Sequence, residues 1–371
     1  MDLQLTEHQS ILRSTTRDLL AGDFRKEVLV AIDAGRQSGL EPWAQLVSTG
    51  ILGALIPEEY GGAGTSVTDA AVVFEELGRG PVSGPHLSSG VLAALAIMEG
   101  GTPEQRQDLL PAFATGKRIV TLAITEEDYG WEPRFIQATA SRHDGELVLD
   151  GTKLYVHDAG MATDLIVAAL LDGGGIGLAL VAADAPGVSR RPLPGFATGL
   201  YEVRFEGVRL PESALVGGGS EDGWSILERV FPKAVTLLGA YQVGGLAQVY
   251  DMSLEYSRTR RQFQQPIGRF QRVQDHVIDI LNRLDEARWT TYEALWKLDT
   301  GRDAATSVHM AAAVASEAYY LGCNSAHDVH AGVGIMREYG LTLHTKMSRT
   351  LYHYLGGPRY HRKKLAQALG L

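Results

Sequence analysis

Three arginines, Arg258, Arg260 and Arg261, crowd together, and Phe263, Pro266, Gly268 and Phe270 follow at once. A guanidinium is a planar, permanently charged fork that takes phosphate oxygens in pairs. An aromatic ring beside it suits a flat ring attached to that phosphate. Upstream, Leu246, Val249, Tyr250, Leu254 and Ser257 recur at helical spacing, so the cations close a rigid element. Pro266 and Gly268 stop the helix. This pattern suits a pyrophosphate carrying a flat ring. A solvated basic helix end, favoured by the macrodipole, accounts for the same residues equally well.

Tyr256, Arg260, Phe263, Pro266-Ile267-Gly268 and Phe270-Gln271 resemble the acyl-CoA dehydrogenase signature Y-x-x-x-R-x-x-F-x-x-P-I-x-x-F-Q. Pro57-Glu58-Glu59-Tyr60-Gly61-Gly62-Ala63-Gly64 looks like a second hallmark of that family, P-E-x-Y-G-G-x-G. The resemblance covers essentially the whole chain. In the family, the Arg and Phe reach across a subunit interface to the FAD of a neighbouring chain, which implies FAD contacts at Arg260, Gln262 and Phe263.

Three further segments resemble family flavin contacts. Leu122-Ala123-Ile124-Thr125-Glu126 is similar to x-x-V-T-E, whose threonine bonds the flavin ring edge, so Leu122, Ile124 and Thr125 are implied there. Gly130 keeps a glycine of the Pro-Gly-x-Gly-Ser-Asp that follows in the family, and Trp131 stands in place of its serine. Lys153-Leu154-Tyr155-Val156-His157-Asp158 takes the place of K-x-W-I-T-N. There Tyr155 covers a flavin face, and His157 replaces the hydroxyl near the reactive ring nitrogen. A histidine on a strand is also an ordinary structural residue. Asp328-Val329-His330-Ala331-Gly332-Val333-Gly334 with Glu338-Tyr339 is similar to Q-I-H-G-G-x-G-x-x-x-E-Y. This implies Asp328, Val329 and Gly332 near the adenosine pyrophosphate, where glycine lets the backbone approach closely.

Acyl-CoA dehydrogenases remove an α-proton with a carboxylate, and that base must lie within hydrogen-bond reach of the proton. The commoner family position, in a Y-E-G-T run, falls on Leu355; the alternative falls on Ala234, with Val235 at the adjacent arginine position. None of these side chains accepts a proton. Glu228 lies about two turns before Ala234 and is a poor substitute.

Three readings follow. The chain is a base-lacking subunit of a heteromeric dehydrogenase acting on a bulky or steroid-type CoA thioester, lending Arg260 and Phe263 to a partner's FAD. Or it is self-sufficient, with a base among Glu126, Glu127, Asp128 and Glu132. Or it is a non-enzymatic CoA-binding or structural module. The resemblance further implies an acyl-CoA thioester substrate, an electron-transferring flavoprotein as electron acceptor, and a homo- or hetero-oligomer built as a dimer of dimers.

The elements that must position these residues are visible in the changing period. Residues 1–120 read as an N-terminal helical domain, with Thr6/Gln9 and Ser66/Asp69 as capping pairs and Pro103 opening a helix. Residues 121–222 read as a central antiparallel β-domain, with a hairpin turn at Asp144-Gly145 and turns at Gly173–Gly175, Pro186-Gly187 and Pro192 to Gly199. Residues 223–371 read as a C-terminal four-helix bundle, with periodic segments at 224–260, 271–299, 304–327 and 341–354. The whole is mostly α with a β-domain.

The chain has 371 residues, more than one core usually serves. A net charge of −10 argues against nucleic acid as a partner. The single cysteine, Cys323, excludes an internal disulfide and a cysteine-cluster metal site. No apolar run reaches membrane-spanning length, and Met1-Asp2-Leu3-Gln4 lacks the basic start of a signal peptide, so a cytoplasmic protein without metal is expected.

Overall fold

The computed structural model describes residues 4–37, 40–197 and 199–371. Met1, Asp2 and Leu3, part of the start read for a leader, and Thr198, inside the Pro192 to Gly199 turn, lie outside the described residues. In chain order the helices are α1 (Glu7–Asp23), α2 (Lys26–Asp33), α3 (Leu40–Ser48), α4 (Val67–Arg79), α5 (Ala94–Gly100), α6 (Pro103–Ala114), α7 (Gly223–Thr259), α8 (Gln271–Asp299), α9 (Ala305–His330), α10 (Leu341–Leu351) and α11 (Pro358–Ala368). The chain divides into two compact units: residues 1–42, 66–82 and 235–371 form one, and residues 43–65 and 83–234 the other. Among the described residues no helix is long and apolar enough to cross a membrane.

The first unit is helical. Thr6 and Gln9 cap α1 reciprocally, and Ser66 and Asp69 do the same for α4. Asp299, at the end of α8, accepts two more free donors of α4, Val67 N at 2.9 Å and Thr68 N at 3.0 Å. The start of α4 is thereby satisfied from within and from a distant helix. Helices α4 and α7 touch backbone to backbone. A Cβ on Gly244 would lie 1.7 Å from the Glu75 carbonyl oxygen, and one on Gly78 would lie 1.9 Å from that of Tyr241. Glu75, buried at that crossing, accepts from Tyr292 Oη at 2.8 Å and Arg288 Nη2 at 3.2 Å, which ties in α8. The alanine-rich run of α9 is core: Ala311, Ala315 and Ala318 are buried. Cys323 lies in the same interior, where burial pushes its thiol up to about 12.

The second unit is built on a sheet of strands β1 (Val120–Ala123), β2 (Thr139–His143), β3 (Glu146–His157), β4 (Asp164–Leu171), β5 (Ile176–Ala182), β6 (Val188–Pro192) and β7 (Leu200–Pro211). Their order is β1-β4-β2-β3-β7-β6, with β5 paired to β4. Asp144 and Gly145, both at positive φ (53° and 83°), make the β2–β3 hairpin as the sequence predicts. The expected antiparallel β-domain has most of its pairs antiparallel, with one correction: β4 runs parallel to both β1 and β2, so the sheet is mixed. Hairpin turns dictate antiparallel neighbours only for strands adjacent in sequence. The parallel partners of β4, β1 and β2, are separated from it by whole strands, and nothing local sets their direction. Leu147, Leu149, Val167, Val181, Val203 and Phe205 fill the core.

Gly244→Ala drives a methyl into the Glu75 carbonyl. Overpacking of this kind costs roughly 1–3 kcal/mol. Urea unfolding should show a lowered midpoint at unchanged m, and an unchanged midpoint would mean the two helix backbones are not in contact.

Candidate active site

The sheet unit gathers its predicted site residues at one end of β3. The β3–β7 register shifts between Lys153 and Val156, and Tyr155 sits in this bulge at φ 58°. Bulges re-aim side chains beside functional sites, and here Tyr155 emerges 41% exposed. Tyr129, at φ 49°, sets its ring edge-on to Tyr155 at 4.9 Å. The aromatic contacts continue through Trp131 (6.5 Å from Tyr129), Phe231 (5.9 Å from Trp131) and Trp224 (5.9 Å from Phe231). Between Tyr129 and Trp131 the chain needs glycine, because a Cβ on Gly130 would lie 1.9 Å from the Phe135 ring. Leu122 and Ile124 are buried. Thr125 is buried as well, and its hydroxyl donates to Leu154 O at 2.6 Å while Leu154 N donates to Thr125 O at 2.8 Å.

His157 ends the strand. Burial holds its imidazole neutral, down to about 3. Asp158 follows at φ 59° and accepts from Ser88 Oγ at 2.7 Å. Ser88 opens a π-helical turn (Ser88–Ala93), a geometry frequent at functional sites. Burial raises the Asp158 carboxyl to about 6, against the Ser88 hydrogen bond. Tyr129, Tyr155 and Asp158 are three non-glycine residues held in the left-handed region, each at a cost of about 1–2 kcal/mol. Such strain clusters at functional sites. The sequence reading passed over Asp158 and Tyr129. For Asp158 the signal was present, since it stands at the asparagine of K-x-W-I-T-N.

The four acids offered as substitute bases have other employment or face water. Glu126 is buried and accepts from Lys153 Nζ at 2.6 Å, from Gln137 N at 3.0 and 2.9 Å, and from Ala138 N at 3.0 Å. Lys153 is itself fully buried and also donates to Ile124 O at 3.1 Å. Its burial lowers the ammonium to about 8, against the attraction of Glu126. Glu132 pairs with Arg134 at 2.6 Å, and Glu127 and Asp128 are exposed in a turn.

The helical unit carries the remaining predicted residues. After α7 the chain forms a small hairpin of β8 (Arg261–Gln262) and β9 (Gln265–Pro266). Its two turn residues are Phe263 and Gln264, at φ 49° and 66°, where such turns favour Asn-Gly. Phe263 is 86% exposed, with Phe270 edge-on at 6.0 Å. Arg261 Nη2 donates to Gln264 O at 2.8 Å, while Arg258 and Arg260 are exposed and make no ion pair among the described residues. Tyr256 stacks on His330 at 4.7 Å, and Tyr339 closes the cluster 5.0 Å from His330. This brings the arginine segment together with the 328–334 segment. Asp328 lies 3.8 Å from His276, and Val329 is buried. A Cβ on Gly334 would lie 3.0 Å from His327 Nδ1, a tight approach that favours glycine; at Gly332 nothing lies within 4 Å.

The two base positions lie in different units. Ala234 is fully buried in α7, and Glu228 of the same helix is exposed. Leu355 is 3% exposed, at φ 59° in the turn between α10 and α11.

Profiles of the acyl-CoA dehydrogenase N-terminal, middle and C-terminal domains match residues 6–117, 121–208 and 221–370. Acyl-CoA dehydrogenase FadE27 of Mycobacterium tuberculosis is 30% identical over 344 residues, 89% of this chain and 88% of that protein. In the ChsE4-ChsE5 complex from Mycobacterium tuberculosis, a chain of 27% identity superposes with a TM-score of 0.90, covering 100% of this chain and 99% of that one. The FAD complex of PigA gives a TM-score of 0.93 at 26% identity, over 100% of both chains. With these three domains in order along it, the chain belongs to the acyl-CoA dehydrogenase family of FAD-dependent oxidoreductases.

Proposed function

We propose that the chain works as the base-lacking subunit of a heteromeric acyl-CoA dehydrogenase, on a bulky or steroid-type CoA thioester, with an electron-transferring flavoprotein as acceptor. One observation carries this reading: both family base positions hold buried apolar side chains, Leu355 at 3% and Ala234 at 0% exposure. An aliphatic side chain cannot take the α-proton, so in this reading the carboxylate comes from a partner. The likeness to the two-protein ChsE4-ChsE5 complex supports a mixed assembly. The domain limits 1–120, 121–222 and 223–371 belong to the same proposal.

The residues present fit FAD. Gly332 leaves its Cβ space empty, Arg260 is without an ion pair among the described residues, and Tyr155 presents an exposed ring. We assign Leu122, Ile124, Thr125, Gly130, Trp131, Tyr155 and His157 to the flavin end, and Arg260, Gln262, Phe263, Asp328, Val329 and Gly332 to the pyrophosphate and adenosine end. When bound, FAD supplies the hydride acceptor. The protein's part is to orient and to exclude water. Thr125, whose proton goes to Leu154 O, retains lone pairs to accept a hydrogen bond. Neutral His157 brings no net charge to the flavin edge. Phe263, outermost on a strained turn, is placed to enter a neighbouring chain.

A second reading rests on Asp158. Its carboxyl, raised to about 6 at the strand end carrying His157, has the acidity of a general base working near neutrality. In that reading the chain is self-sufficient.

Purified alone, the chain should turn over acyl-CoA esters at least about 10²–10⁴-fold below an enzyme with its base in place, and co-purification with the partner should restore activity in an oligomer. Robust turnover by the chain alone would defeat the subunit reading, and a stable flavin-bound monomer in light scattering would end the shared-site idea. Arg260→Ala in the assembly should weaken FAD retention by roughly 1.5–3 kcal/mol, measured as flavin released on dilution; unchanged occupancy removes Arg260 from the site. Leu355→Glu should confer flavin reduction by acyl-CoA, with the gain growing as pH rises, because a buried acid titrates high. No gain in a folded, flavin-loaded variant would mean the substrate does not reach this turn. Asp158→Asn separates the readings. If Asp158 is the base, activity of the chain alone rises with pH through about 6 and vanishes in the variant; as a non-catalytic acid, the variant leaves the assembly's rate–pH profile unmoved.

A further inference from the structure

The helical unit holds a cleft of about 730 Å3 that reaches Tyr339 of the Tyr256–His330 cluster but is lined by none of the residues assigned to FAD. That size is typical of small-molecule sites. Leu20 and Phe24 of α1, Met252 of α7 and Leu343 of α10 supply apolar walls. Two of the acids around it are already matched. Glu76 accepts from Arg17 at 3.0 and 2.7 Å, and Asp251 accepts from Arg79 at 2.6 Å. Arg25 makes no ion pair among the described residues, and Lys26 comes only within 3.9 Å of Glu27. Against these two cations the lining has one further carboxylate, Glu255, so the uncompensated charge is positive.

His344 supplies the specific group. It lines the cleft although only 3% exposed, and its Nδ1 lies 3.0 Å from the Tyr319 hydroxyl. Tyr319 is fully buried and has no other hydrogen-bond neighbour among the described residues. A buried O–H left without an acceptor is costly. The hydroxyl therefore donates to Nδ1, and the ring proton is assigned to Nε2. No described residue accepts from Nε2–H, so on a residue lining the cleft this donor is free for a ligand. Burial, with the charge of Arg79 close by, holds the imidazole neutral, down to about 3. A neutral donor in a cleft of net positive charge, with apolar walls, selects an anionic oxygen on a hydrocarbon chain.

We propose that this cleft binds an anionic amphiphile, an alkyl chain ending in a carboxylate or a phosphate, with its head on His344 Nε2–H and the Arg25 and Lys26 cations and its chain along Leu20, Phe24, Met252 and Leu343.

Isothermal titration of the flavin-loaded protein, with its partner if one is required, tests this with decanoate, octyl phosphate and inorganic phosphate. The expected result is saturable binding of decanoate or octyl phosphate with no change in flavin absorbance; the tighter of the two identifies a fatty-acid or a phospholipid-type head, and either supports the site. Ala21→Trp fills the cleft from an exposed position of α1 and should weaken binding at least about tenfold, as should Arg25→Glu with Lys26→Glu, at unchanged flavin content. Absence of saturable binding overturns the proposal. So does equal binding of inorganic phosphate, which needs no chain site. Binding that survives Ala21→Trp and perturbs the flavin spectrum also overturns it, because the ligand then occupies the substrate site.

Discussion

The buried ion pair of Lys153 and Glu126 is the constraint on which the sheet-side half of the site depends. Lys153, on β3, reaches Ile124 O and Glu126, and Glu126 reaches forward to Gln137 N and Ala138 N. One carboxylate thus closes both ends of the loop carrying Tyr129, Gly130 and Trp131, and fastens it to the strand carrying Tyr155 and His157. Removing one member of such a pair leaves a buried charge uncompensated, which typically costs 3–5 kcal/mol. The same arrangement disqualifies Glu126 as a base. A carboxylate that surrendered its backbone donors to take a substrate proton would release the loop it holds.

That rigidity lets the neighbouring strain persist. Tyr155 and Tyr129 both occupy left-handed backbone, and their rings meet edge to face. A free loop would relax these angles; one pinned by Glu126 and by the Thr125–Leu154 pair cannot. In the helical unit, Phe263 and Gln264 take the positive φ of a tight hairpin whose usual residues are asparagine and glycine. There the aromatic ring points into open space rather than into a core. Within the chain the strained turn gains only the edge-on contact with Phe270 and the Arg261 hydrogen bond to Gln264 O among the described residues.

Much of this was legible in the sequence wherever short-range chemistry decides the outcome. The Ser66/Asp69 capping box, the Asp144-Gly145 turn and the helical stretch ending at the arginines depend on residues a few positions apart, and the structure contains each of them. What was not legible depends on distant partners. The parallel pairing of β4 with β1 and β2 is settled by packing across the sheet. The commitment of Glu126 is set by a lysine well along the chain, and the acidity of Asp158 by burial against Ser88. A composition of acids between Glu126 and Glu132 suggests spare bases; only the hydrogen-bond partners show that the buried one is taken.

The turn at Leu355 keeps its path without a charged side chain. A leucine at φ 59° is strained, yet its neighbours leave the turn little freedom. A Cβ on Gly356 would lie 2.4 Å from the Tyr360 ring, and one on Gly357 would lie 2.5 Å from His353 Nδ1, so both glycines are fixed by packing. His361, on α11, bonds the backbone of Leu355 and Gly356, and its Nδ1 lies 3.1 Å from that of His309 on α9. Burial and His309 keep His361 neutral, down to about 3, so this link is not broken by ordinary acidity. The path of the turn is therefore set by α9 and α11 and not by any charge at position 355. Shape and charge are separable here: the helices hold the turn in place whatever side chain stands at position 355.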